Sequence, residues 1–107
     1  MSLIFWRPAL LAAALFVASS PAAAADCRGE LVASQQKLER TRADLAGAAS
    51  AADAQRCAAF RRHHAALVQV REVFARCDTG AQKAEHAAQV TASIAAFRAS
   101  MPRGCRP

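Results

Sequence analysis

Tyrosine is absent from this 107-residue chain, tryptophan occurs once, as Trp6, and only five phenylalanines complete the aromatics. Stacking on nucleotide bases needs several exposed aromatic platforms. Phe60, Phe74 and Phe97 fall where a helix core wants them, so no specific nucleic-acid function is expected. Glycine numbers four, with no phosphate-binding loop, dinucleotide fingerprint or calcium loop among them. Ser34, Ser50, Ser93 and Ser100 sit in helical or capping contexts, with no glycine-flanked nucleophile elbow. The cysteines include no Cys-x-x-Cys and no Cys-x-x-Cys-His, which sets aside a thioredoxin-type redox site and covalent c-type haem. The expectation is a non-enzymatic chain with no cofactor.

A long hydrophobic run is also missing. Ala9–Ala18 is apolar but too short to span a bilayer. With Arg7 before it, the break at Ser19-Ser20-Pro21 and the small-residue run Ala23-Ala24-Ala25, it reads as a removable export signal cut after Ala25. Asp26 directly before Cys27 argues against a lipoprotein signal. Residues 26–107 then form a single helical domain, with 13 of the 14 basic residues, all eight acidic ones and a formal charge of +5. No transmembrane segment remains after processing. All four cysteines, Cys27, Cys57, Cys77 and Cys105, lie in this part. An even count in a short exported chain predicts two disulfides and a periplasmic or secreted location.

What is present is helical patterning. Phe60, His63, Leu67, Val70, Phe74 and Cys77 recur at steps of three and four, the spacing of one helix stripe. Leu31, Leu38 and Leu45 repeat every seven residues in a first helix over 26–52, with polar Ser34, Gln35, Thr41 and Arg42 between them. Gly47 is a candidate left-handed cap for that helix, unless the alanines carry it to Ala52. Ser50 with Asp53, and Thr79 with Gln82, have capping-box spacing. Asp78-Thr79-Gly80 is the clearest turn. A third helix carries Ala84, Ala87, Val90, Ile94, Phe97 and Met101 on one stripe and stops at Pro102 and Gly104.

The cysteines act as a ruler. In an antiparallel hairpin, two residues share a height when the turn lies midway between them. Cys27 and Cys77 are centred on position 52, and Cys57 and Cys105 on position 81, both beside expected turns. A Cys57–Cys77 bridge would join points about 30 Å apart on one helix, where a disulfide needs Cα atoms within about 7 Å. The other pairing has midpoints at 42 and 91, inside expected helices. The reading is an all-α, up-down-up three-helix bundle stapled by Cys27–Cys77 and Cys57–Cys105. If the first helix ends at Gly47, residues Cys27 to Gly29 must be extended to bring Cys27 level with Cys77.

Arg61-Arg62-His63-His64, with Arg71 and Arg76, is the one conspicuous polar run. Arg61, Arg62, His64, Arg71 and Arg76 are the candidate anion-binding residues, although consecutive residues fan around a helix and a solvated basic face is the simpler reading. His63 lies on the apolar stripe and reads as an interior, hydrogen-bonded histidine. His86 reads as a lone surface residue. His63, His64 and His86 lack the i, i+4 spacing of a zinc site, so no metal site is expected and metal or haem handling is a weak alternative. Glu72 with Arg76, and Glu39 with Arg40 or Arg42, are expected exposed pairs. In size, export signal and helix content the chain resembles small exported helical proteins of Gram-negative bacteria, acid-stress chaperones and immunity proteins among them, but no motif transfers residue by residue. The leading expectation is a binding module whose basic surface meets an acidic protein or an anionic envelope component. A stress chaperone or folding helper is the alternative.

Overall fold

The structure, a computed structural model, describes residues 21–107, the first five as backbone. The export-signal reading of residues 1–25 therefore lies outside the described side chains. Three helices follow in order, α1 (Pro21–Gly47), α2 (Asp53–Cys77) and α3 (Lys83–Ala99), and no strand occurs among the described residues. Alanine dominates all three, and alanine has the highest helix propensity. The two disulfides are Cys27–Cys77 and Cys57–Cys105, with Cα separations of 5.4 and 5.6 Å. Pairing and up-down-up order are as the midpoint argument expects.

The boundaries differ from expectation in an instructive way. α1 runs from Pro21 to Gly47, so Cys27 to Gly29 are helical and not extended. Gly47 is not a left-handed cap, because Gly104 is the one glycine with positive φ among the described residues. The missing height comes from the other side of Gly47. Ala48 N–H bonds to Asp44 O (2.9 Å), Ala49 N–H to Ala46 O (3.4 Å) and Ala51 N–H to Ala48 O (2.9 Å), so the chain keeps winding past the assigned helix end. Neither capping box forms. The N-cap of α2 is Ala52 and that of α3 is Gln82, each without a side-chain bond. Asp53 instead pairs with Arg56 at 2.7 Å, inside the first turn of α2.

The register of α1 against α2 is visible in a second pair besides the cysteines. Thr41 and His63, bonded at 2.8 Å, are centred on position 52, as are Cys27 and Cys77. The most buried residues of α2 are Ala59, His63, Ala66, Val70 and Val73, alternating by four and three. On α1 the matching line is Leu31, Ser34, Leu38, Thr41 and Leu45, of which Ser34 and Thr41 are the most buried. This is the a/d pattern of an antiparallel coiled coil. Flanking it on one side are Glu30 with Arg76 (2.7 Å), Lys37 with Gln69 (3.1 Å), and Asp44 and Arg62, which line one shallow hollow. Arg76 thus pairs across the hairpin with Glu30, not along α2 with Glu72. The expected α2 stripe of Phe60, Leu67 and Phe74 is half-buried, displaced from the seam by alanines. The reason is that α2 has neighbours on two sides, so its buried arc is wider than one stripe.

α3 packs on the other flank of α2 and makes no close backbone approach to α1. Ile94 is its one buried side chain, while Phe97 stacks on Phe60 with ring centroids 5.2 Å apart. The α2–α3 turn is held by Asp78. One carboxylate oxygen accepts from Gly80 N–H (3.2 Å) and the other meets His86 Nδ1 (2.7 Å), so His86 is a half-buried partner and not a lone surface residue. After α3, Cys105 N–H bonds to Pro102 O at 2.9 Å with Gly104 at φ 84°. That is a type II turn, whose third position needs positive φ and hence glycine. It carries Cys105 back to Cys57.

No large side chain among the described residues is fully buried, and alanines supply much of the interior. Each bridge closes a loop of about fifty residues, worth about 4 kcal/mol in the chain-entropy model. Against a typical net stability of about 5–15 kcal/mol, that is a large share. The double variant Cys27→Ser/Cys77→Ser should lower the urea unfolding free energy by about 3–4 kcal/mol, and the Cys57–Cys105 pair should behave alike. Gly104→Ala should cost about 1 kcal/mol, whereas Gly29→Ala, in mid-helix, should stabilise. A Gly104→Ala midpoint equal to wild type would show that the turn does not need its positive φ.

Candidate functional site

Because α1 and α3 flank α2 with no close backbone approach to each other, a groove runs between them with α2 as its floor. One stretch, a cavity of about 420 Å³, is lined by Leu38 and Arg42 of α1, His63, Leu67 and Val70 of α2, and Val90 and Phe97 of α3, among others. The next, about 490 Å³, continues past Phe97 to Leu45, Phe60 and Pro102. The half-buried Phe60, Leu67 and Phe97 are therefore groove wall as much as core. Among the described residues Arg42 and Arg56 are the only arginines, lysines or carboxylates lining either stretch.

The polar centre of the seam borders this groove. Thr41 Oγ1 donates to Leu38 O at 3.0 Å and accepts from His63 Nδ1 at 2.8 Å, an assignment that follows from the hydroxyl's single proton. Ser34 is satisfied in the same local way, through Leu31 O at 2.9 Å. His63 is held below the usual histidine pKa, first by burial and then by the nearby Arg42 guanidinium. The interior reading of His63 holds. Locally bonding hydroxyls are what let a seam of polar residues close without orphaned donors.

The candidate anion-binding residues do not form one cluster. Arg76 is tied to Glu30, and Arg62 faces the α1 side beside Asp44. Arg61 donates through Nε to the Arg106 carbonyl at 2.7 Å. His64 lies between α2 and α3, its pKa lowered by burial, then by Arg98 and Arg71, and its Nε2 is enclosed without a partner. Arg71 and Arg98, both exposed and lining neither stretch of the groove, thus form an outer α2–α3 patch near His64, and Arg98 is a residue the sequence reading did not single out. Its signal was present only in three dimensions, since Arg98 and His64 stand on different helices. The three histidines are dispersed: His63 bonds to Thr41, His64 lies near Arg71 and Arg98, and His86 bonds to Asp78. Cys27, Cys77 and Glu30 lie within ligand reach of one another, but both sulfurs are spent on the disulfide.

The charge is unevenly spread. Residues 26–52 hold four basic and four acidic side chains, while residues 53–107 hold nine basic and four acidic. Over residues 26–107 the whole excess of +5 thus sits on α2, α3 and the tail. Ion pairs to carboxylates engage only Arg56 and Arg76 of the arginines and lysines among the described residues. No described helix is long and apolar enough to cross a membrane. Compared with protein-family models, curated proteins and solved structures, the chain matches none.

The histidine environments set a pH dependence. His63 and His64 both have folded pKa values below the ordinary 6.5. The unfolded chain then binds more protons than the folded one just below that pH. The stability they contribute is complete above about 6.5 and is lost as pH falls through the depressed folded values. Asp78, lowered first by its bond to His86 and then by Gly80 N–H, acts only lower, near and below its ordinary 3.8. The urea midpoint should therefore fall between pH 7.5 and pH 5, and His63→Gln should reduce that drop. An unchanged wild-type midpoint over this range would contradict the neutral, buried assignment of His63.

Proposed function

We propose that this chain is a non-catalytic binding module whose cationic α2–α3 half meets an acidic protein or an anionic envelope component, in the periplasm or after secretion. The observation that carries this reading is the placement of the entire charge excess in residues 53–107, with Arg71 and Arg98 flanking His64 on one outer face. Unneutralised cations on one face of a small domain raise the local concentration of anionic partners and speed their capture. The two disulfides favour an oxidising compartment. A folding helper is the second reading, favoured by the open apolar groove, since such a protein needs apolar surface within reach of unfolded clients.

Binding should be strongest at low ionic strength, where the Debye length is about 30 Å, and should vanish near 1 M salt, where it is about 3 Å. Co-sedimentation with phosphatidylglycerol vesicles, and titration with polyglutamate, test the two partner classes. Arg71→Glu/Arg98→Glu should weaken binding at least tenfold, and Lys37→Glu on neutral α1 should weaken it less than threefold. No binding to either partner at low salt removes the charge-driven reading. Suppression of client aggregation that is indifferent to salt and to the charge reversals would favour the folding helper.

A further inference from the structure

We infer that the groove between α1 and α3 is the docking site for an amphipathic helical segment of a partner protein, apolar on one side and acidic on the other. The inference rests on the acidic-partner reading above and gives the partner a second contact, in the groove, separate from the Arg71–Arg98 patch that a simple polyanion meets. Among the described residues no helix fills this groove. Its floor spans Phe60 to Val70, eleven residues of α2, or about 15 Å over ten rises of roughly 1.5 Å. That matches three turns of a guest helix. The apolar wall is supplied from all three helices: Leu38 and Leu45, then Phe60, Leu67 and Val70, then Val90 and Phe97. An occupant seated there must present apolar residues at i, i+3, i+4 and i+7.

The class of occupant follows from three observations. First, no strand edge exists among the described residues, so an extended peptide would find no backbone partners, whereas a helix satisfies its own. Second, the lining charges are Arg42 and Arg56 with no carboxylate. Arg56 is already engaged by Asp53 and the Ala51 carbonyl, while Arg42 makes no ion pair among the described residues. A guest carboxylate can bond Arg42, and a guest lysine there would meet like charge. Third, a second copy of this chain is a poor occupant. Its helices are neutral (α1) or bring the same positive excess (α2 and α3). An acidic helix is the complementary one.

The test uses the disulfide-intact protein and two synthetic helical peptides with the same leucine face, one carrying glutamate on its polar side and the other lysine. Fluorescence anisotropy should show saturable binding of the glutamate peptide and at least tenfold weaker binding of the lysine peptide. Leu67→Glu should weaken the glutamate peptide at least tenfold. Arg42→Glu, at an exposed position where folding is not at risk, should weaken it about fivefold. Arg71→Glu/Arg98→Glu on the outer face should change it less than twofold. Equal binding of the two peptides overturns the acidic assignment. Binding that survives both groove variants but not the outer-face pair overturns the groove and leaves the charge-driven reading standing. Displacement of the bound peptide by phosphatidylglycerol vesicles would assign the groove to lipid and overturn the protein-segment inference. Failure of every acidic probe, at the groove and at the outer face alike, defeats both readings.

Discussion

The bond between Thr41 and His63, 2.8 Å long and buried between α1 and α2, lies on the same register line as the Cys27–Cys77 bridge. Together they fix the height of one helix against the other. A slip by one turn would leave the imidazole facing apolar groups and the hydroxyl without its second partner, a cost of about 1–3 kcal/mol for each buried polar group left unpaired. It would also pull the sulfurs out of reach. A covalent tie and a polar lock thus select one alignment where leucines and alanines alone would tolerate several. Single buried polar residues serve this purpose in coiled coils generally.

From that alignment the remainder follows. Among the described residues α2 alone has neighbours on both flanks, and α3 is set by a different mixture of contacts: the Phe60–Phe97 stack, the Asp78–His86 bond and the Cys57–Cys105 bridge. With the backbones of α1 and α3 each close to α2 and not to each other, the described bundle stays open along one side. The interior is correspondingly thin. The two crosslinks do for this chain what a larger buried area does for a longer one.

Much of the architecture was legible in the residues. The cysteine spacing and two turn regions were enough to pair the disulfides, because helices are stiff and a midpoint test depends only on where the turns lie. The capping boxes failed because Ser50 and Thr79 stand three and four residues ahead of the helices they were meant to open, and side-chain caps act over a single turn. The α2 stripe was displaced because large residues mark the apolar side of a helix in a sequence, whereas the line of closest approach takes small ones, here Ala59 and Ala66. Ser34 and Thr41 read as interruptions of the leucine repeat and are instead part of the seam. Of the functional surface, the local run Arg61 to His64 was visible. The groove and the Arg71–Arg98 face were not, since each is assembled from helices distant in sequence.

The two loops interlock: Cys57 lies inside the span from Cys27 to Cys77, and Cys105 lies beyond it. A protease that nicks the chain once anywhere from Cys27 to Cys105, at the alanine-rich bend or beside Gly80, therefore releases no fragment. Every such pair of pieces is still joined through sulfur, and the cut molecule keeps its helices side by side.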